Sequence, residues 1–360
     1  MSRDDETARL LLDRREELLQ AGLRAVYAAT PGLWERFGEA GRERFRENVG
    51  SHLDYLAVSL RLDASALFEY YLEWLDGLFI GLGMPPGFML KTIDALHAGL
   101  SGAMPADRAA AVLAFTDNAK KSYHPEPSRI GAGRSIPLGE DAARFLQALL
   151  AGHRDDARTQ ILEKVRAGVP TISIYLDIFQ ATQYELGRRW HEGTISVAEE
   201  HFCTAATQAI MSQIQPLIHA EPGNGQRLVA AAVEGDPHEI GIRMISELLE
   251  LAGWDSYFLG ASTPPSSILA AVRGRQASLL CLSVTMPYHL ISLEATILLV
   301  RDAYPAGEVK ILVGGRPFIA LPSLWKTIGA DAFAPDAASA LEYAASLVRV
   351  RTAERYEVKR

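Results

Sequence analysis

The sequence predicts a multidomain chain of the α plus α/β class. Three observations carry that expectation. Apolar residues recur at helical spacing through residues 1–125. A second helical segment, residues 138–220, is cut into four pieces by glycine and proline breaks. From Gln226 onward, short apolar runs alternate with helical patterns, the texture of a parallel sheet wrapped by helices. The expected domains are residues 1–130, 131–225 and 226–360.

In the first segment Phe45, Val49, Leu53, Leu56 and Leu60 share one helical face. Asp63-Ala64-Ser65 reads as the start of a helix running through Phe68, Tyr71, Leu72 and Leu75. Pro85-Pro86-Gly87 breaks the chain before another helix through Leu90, Ile93 and Leu96. Residues 123–135, rich in Pro, Gly and Ser, read as a linker. The second segment predicts helices at 139–152, 155–168, 171–192 and 196–218, the last capped by Ser196. Short connections between them suggest an up-down bundle. The third segment predicts strands at 227–233, 255–260, 278–284, 309–313 and 331–334. Helices are expected at 239–252, 265–274, 289–304, 321–328 and 337–349. Five such units suggest a doubly wound, flavodoxin-like (Rossmann-like) sheet, with ligands at the carboxyl ends of its strands.

Composition narrows the function. A chain of 360 residues is too long for one small module. It is too short for a catalytic (β/α)8 barrel of about 250 residues beside the other segments. The net charge of -8 gives no support to nucleic-acid binding, and no basic recognition helix is visible. Two cysteines, Cys203 and Cys281, build neither a disulfide framework nor a cysteine zinc site. The acidic N-terminus is unlike a signal peptide. The apolar run at 77–90, interrupted by Pro85-Pro86, falls short of the roughly 18 residues a membrane span needs. The expectation is a soluble cytoplasmic protein that contacts neither membrane nor nucleic acid.

Three loops should converge on one edge of the sheet. The first reads Gly235-Asp236-Pro237-His238-Glu239-Ile240-Gly241, the second contains Ser283-Val284-Thr285, and the third Gly314-Gly315. Asp236 can orient the His238 imidazole through one ring nitrogen, leaving the other for a metal. Gly241, Gly314 and Gly315 remove side chains where a bulky group would pass. A dinucleotide fingerprint is missing from the first loop. Ser283 stands where a phosphate-accepting receiver needs Asp, and no P-loop is present. The bland alternative is that His238 and the glycines only shape turns.

Asp236-x-His238-x-x-Gly241, Ser283-x-Thr285 and Gly314-Gly315 together resemble the pattern of cobalamin-binding domains. The resemblance covers residues 226 to about 350. It implies that His238 replaces the cofactor's own base as lower cobalt ligand, with Asp236 as its orienting partner. It further implies that Ser283, Thr285, Gly314 and Gly315 line the pocket for the nucleotide tail. The family often has Leu where this chain has Thr285.

The preceding four helices would then cap the corrin. Trp190-His191, followed by Glu200-His201 in a Trp-x9-Glu-His spacing, resembles the cap of CarH-type photoreceptors, which sense light with adenosylcobalamin. That resemblance implies Trp190 as a flat wall against the adenosyl group, Val197 filling the side and Glu200 accepting from ribose hydroxyls. It implies His191 as the upper cobalt ligand after photolysis, with His201 supporting the same face. Bundle core is the plainer reading of these residues.

The DNA-binding domain of CarH-type repressors has no counterpart here. Residues 1–130 are instead of a size that suits a globin-like bundle. At about 100° per residue, His52 shares the face of Phe45, Val49 and Leu56. Tyr55 and Trp74 are further pocket candidates. A cap of this type joined to a globin-like bundle resembles the photocobilins, which bind biliverdin beside cobalamin. No cysteine lies within residues 1–130, so a bilin there is held noncovalently. Haem, with His52 or His97 as axial ligand, and an empty structural domain stay open as alternatives. The resemblance implies a non-enzymatic light sensor. Photolysis of its Co–C bond changes conformation and homo-oligomeric state and signals to an unidentified downstream protein. A corrinoid carrier for methyl transfer and a cobalamin storage module are the rival readings.

Overall fold

The computed structural model describes residues 3–30, 33–123, 138–218, 220–305 and 307–348. Beyond Tyr123, the expected linker lies outside the described residues. The chain divides into two compact units. The first joins Met1–Ser135 with Gly187–Ser196, and the second joins Ile136–Leu186 with Val197–Arg360. Among the described residues no helix is long and apolar enough to cross a membrane.

The first unit holds α1 (Arg3–Asp13), α2 (Arg15–Ala29), α3 (Leu33–Arg61), α4 (Ser65–Gly81), α5 (Phe88–Ala103) and α6 (Ala106–Ser122). Phe45, Val49, His52 and Leu56 are all buried, as their shared face on α3 requires. Arg15 on α2 forks onto Asp54 of α3 through two 2.8 Å bonds. The turn at Asp63 works differently from its sequence reading. Asp63 adopts φ 47° and closes α3, with Asp63 N–H bonded to Leu60 O and Ala64 N–H to Ser59 O. Asp tolerates this left-handed conformation better than most residues. The helix that follows, α4, has Ala64 at its N-cap and no side-chain cap.

The second unit begins with α7 (Glu140–Leu150) and α8 (Arg154–Arg166). The expected third helix is not uniform. It runs as α9 (Thr171–Ser173), a π-helical stretch at Ile174–Gln180, and α10 (Ala181–His191), whose last turn belongs to the first unit. Such π segments insert a residue into the helix and re-aim side chains. Helix α11 (Val197–Ile214) gives way to a 3₁₀ turn at Gln215–Leu217, because Pro216 has no N–H to continue the ladder.

Strands β1 (Arg227–Ala232), β2 (Asp255–Phe258), β3 (Leu279–Ser283), β4 (Lys310–Gly314) and β5 (Ala332–Ala334) form a parallel sheet in the order β2-β1-β3-β4-β5. This is the flavodoxin-like order, with its switch point between β1 and β3. Residues Leu228–Val233 are fully buried because helices cover both faces. Those helices are α12 (Ile240–Leu251), α13 (Pro265–Arg275), α14 (Leu290–Ala303), α15 (Arg316–Ala320), α16 (Leu324–Thr327) and α17 (Ala337–Val348). The helix expected at 321–328 is replaced by α15 and α16. Leu321 precedes Pro322 and takes an extended φ of -132°, since proline disfavours helix at the residue before it.

Candidate functional site

The register sets the site. Ala232, Ser283 and Gly314 are direct neighbours across β1, β3 and β4, so the three loops start from one row at the switch point. Asp236 is fully buried at the head of this edge. Its Oδ1 accepts the His238 backbone N–H at 3.0 Å and the His238 Nδ1–H at 2.7 Å. Its Oδ2 accepts the Thr285 backbone N–H at 2.5 Å. Burial pushes this carboxyl upward. Hydrogen bonding from the His238 side chain and backbone outweighs burial and holds it well below the usual carboxylate range.

An ionised Asp236 fixes the His238 tautomer. Nδ1 carries the proton, and Nε2 keeps its lone pair on a side chain that is 54% exposed. The arrangement offers one oriented imidazole to a metal. Among the described residues no group of three or more His, Cys, Asp or Glu could hold a metal ion by itself.

The rest of the edge fits a large polar group. Gly241, at the start of α12, has nothing within 4 Å of where a Cβ would stand. The Ser283 hydroxyl is buried without a hydrogen-bond partner among the described residues, as are His289 Nδ1 and Ser292 Oγ on the adjoining turn and helix. Such orphaned groups are costly unless a ligand or water completes them. Gly315 has a different explanation from the one expected of it. It sits at φ 111°, and a Cβ there would lie 1.9 Å from the Val284 carbonyl. The close approach of two loops demands this glycine whatever the ligand. Thr285 likewise contributes its backbone to Asp236. His289 was not singled out from sequence. Its signal was an aromatic-His pair, Tyr288-His289, just beyond the Ser283-x-Thr285 loop.

The cap residues divide between the units. Val197, Glu200 and His201 lie on α11, where Glu200 accepts from the Thr204 hydroxyl at 2.7 Å and His201 stays exposed. Trp190 and His191 belong to the first unit, where His191 Nε2 donates to the Trp74 carbonyl at 2.7 Å. Helix α11 is pinned to α12 within the second unit. Gln208 donates to Glu239, the residue after His238, at 2.8 Å. Arg243 reaches Glu247 at 2.7 Å and the Ser212 hydroxyl at 2.8 Å. Tyr175, on the π stretch, donates to the same Glu247.

His52 and Tyr55 are each 1% exposed. His52 Nδ1 faces the Tyr71 hydroxyl at 3.2 Å, and its Nε2 faces His97 Nε2 at 3.0 Å. Tyr55 stacks on Tyr71 with centroids 4.2 Å apart. Axial ligation of a haem by either Nε2 would have to separate the two imidazoles.

Comparisons with known proteins agree with the geometry. Residues 226–345 match the B12 binding domain family, and residues 142–215 match a second B12 binding domain family. The dimethylamine corrinoid protein of Methanosarcina barkeri is 25% identical over 58% of this chain and 98% of its own length. The HTH-type transcriptional repressor CarH of Myxococcus xanthus is 26% identical over 51% of this chain and 62% of its own length. The solved Methanosarcina barkeri monomethylamine corrinoid protein shares the fold, with a TM-score of 0.51 and 22% identity over 58% of this chain and 98% of its own. With the paired Asp236–His238, the open space at Gly241 and the orphaned Ser283 hydroxyl all inside the matched region, the chain is a cobalamin-binding protein with a corrinoid cofactor.

Proposed function

We propose that the chain is a light sensor that binds adenosylcobalamin. The observation that carries this reading is the Trp190-x9-Glu200-His201 spacing on the cap, joined to the oriented His238. His238 would hold cobalt from below through Nε2, and Asp236, bonded to Nδ1, would orient the ring for it. Ser283 would donate to the nucleotide tail. Trp190 would wall the adenosyl group, and Glu200 would accept from its ribose. The bound cofactor supplies a Co–C bond that light breaks. The protein's own part is to make contacts that exist only with the adenosyl group in place, so that losing it shifts the conformational and oligomeric equilibrium. Output passes to a partner protein through that change of assembly.

The first unit, on this proposal, is a globin-like bundle that takes biliverdin noncovalently. His52 meets Tyr71 and His97 in its core, and Tyr55 stacks on Tyr71. A bilin entering there must open the His52–His97 pair.

The test is reconstitution with adenosylcobalamin, with and without biliverdin, in the dark. Spectra and size-exclusion profiles are then compared before and after green light. A spectral change with a change in assembly is expected; a loaded protein indifferent to light overturns the proposal. Trp190→Ala should reduce the preference for adenosyl- over methylcobalamin about tenfold, the worth of a large aromatic contact. Unchanged preference would remove the clamp.

A corrinoid carrier for methyl transfer is favoured by a separate observation: the dimethylamine corrinoid protein is matched over 98% of its length. That reading expects methylcobalamin, a separate methyltransferase, and no effect of light on assembly.

Ser283→Ala separates holding the cofactor from holding the fold. Removing an orphaned buried hydroxyl should leave the cofactor-free protein as stable, or more stable by about 1 kcal/mol. Cobalamin affinity should fall about fivefold for one lost hydrogen bond. Calorimetric titration and denaturant unfolding read the two effects.

A further inference from the structure

The turn after α10 is built into the first unit by glycines. A Cβ at Gly77 of α4 would lie 2.3 Å from His191 Cε1 and 3.1 Å from its Nε2, so the imidazole rests on the bare helix backbone. One turn on, a Cβ at Gly81 would lie 2.6 Å from the His191 carbonyl oxygen. The approach is reciprocal, since a Cβ at Gly193 would lie 2.7 Å from the Gly81 carbonyl. Gly193 sits at φ 70° and ends α10, with its N–H on Trp190 O and the Thr194 N–H on Arg189 O. His191 is 5% exposed, and its Nε2–H is held by the Trp74 carbonyl at 2.7 Å.

Two consequences follow from this geometry. A nitrogen that donates its proton to a carbonyl has no lone pair for a metal, so this hydrogen bond and ligation through Nε2 exclude each other. Both flanks of Gly187–Ser196 continue along the chain into helices of the other unit. A released segment therefore stays tied at both ends to those helices by the covalent chain.

We infer that α4 is a docking strip for the Trp190–His191 turn, seated by Gly77 and Gly81, and that it sequesters His191 Nε2 until the turn undocks. The seating follows from the packing just described. The role of the freed imidazole as a cobalt ligand rests on the proposed function.

Gly77→Ala tests the inference, because its expected effect opposes helix propensity. Alanine in a helix interior normally favours the helix. Here it must evict His191. In the cofactor-free protein, hydrogen–deuterium exchange of residues 187–196 should quicken at least tenfold while exchange within α4 and the circular dichroism of the whole protein stay unchanged. In the dark, with hydroxocobalamin as the probe, the variant should acquire the second imidazole at cobalt at least threefold faster than the parent. The spectrum of the bis-imidazole form gives the rate. Unchanged exchange in the folded variant overturns the seat, and quickened exchange without faster imidazole uptake overturns the sequestration. Should Gly77→Ala fail to fold, His191→Asn leaves α4 intact and removes the ring; protection of 187–196 that survives it also overturns the seat. Neither measurement uses light, so failure of the light-sensing reading shows up separately, as a docked turn in a protein blind to green light.

Discussion

Stability of the first unit should fall steadily as pH drops from about 6.5 towards 3. Burial removes His52 and His97 from water and disfavours their charged forms; the His97 imidazole adds to the effect on His52, and the Lys120 ammonium adds to it on both. His52 is held well below its ordinary pKa, and His97 is pushed from 6.5 down to about 3. The unfolded chain takes up protons near 6.5 and the folded chain does not. Unfolding is therefore coupled to proton uptake, and stability is full above 6.5 and lost as pH falls. Each imidazole adds about 1.4 kcal/mol of destabilisation per pH unit in that window. By pH 3 the loss from His97 alone is of order 4 kcal/mol, comparable to the stability of a small domain. The His52→Gln/His97→Gln double variant should show a slope shallower by about two protons between pH 6 and 4. Thermal unfolding across that range gives the slope; an equal slope in both proteins would sink the assignment.

Cobalamin binding should depend on His238 more than on any other side chain of the sheet. His238→Ala removes the one imidazole that Asp236 orients, and the protein should lose the base-off, His-on spectrum entirely. Asp236→Asn keeps the imidazole and loses the carboxylate that fixes its tautomer. Loss of such a partner typically weakens metal affinity about 10–100-fold. The alanine variant should lie at or beyond the weak end of that range. Asp236→Asn also gives up charge on an acceptor that serves the Thr285 N–H, so the cofactor-free protein loses stability too. Added imidazole should restore the His-on spectrum to His238→Ala and leave Asp236→Asn unchanged. Absorbance titrations with and without imidazole make the comparison. A His-on spectrum in His238→Ala would move the ligand elsewhere.

The sheet edge was legible because its elements follow local rules. Period, strand length and punctuation located five strands to within a residue or two, and topology then brings their carboxyl ends together. The Asp236–His238 pair was readable because two residues two apart in one loop can meet with little help from the fold. His289 was not readable in this way. It reaches Asp236 only because a 3₁₀ turn at Pro287–His289 folds it back, to 3.8 Å from Oδ2. Gly315 was read as room for a ligand, whereas the Val284 carbonyl occupies the space its side chain would need.

The N-terminal helices show the same division. The apolar face of α3 is periodic, and that periodicity alone puts His52 inside. Its partner was not local: His97 lies 45 residues away, on α5, and the two imidazoles meet only through helix packing. His191 is the clearest case. A Trp-His pair at a helix end shows a cap-like spacing in sequence, but nothing local says that its imidazole is already hydrogen-bonded to Trp74, more than a hundred residues earlier.

The sequence by itself therefore determined the flavodoxin-like sheet order and the Asp236–His238 loop at its edge, because hydrophobic period and short-range side-chain chemistry are written within a few residues; the cobalamin reading came from the resemblance those residues carry. Only the tertiary structure decided the pairing of His52 with His97, the closure of Gly315 against Val284 and the seat of His191 on α4. These depend on close approach between segments distant in the chain, and backbone packing without side chains leaves no periodic trace.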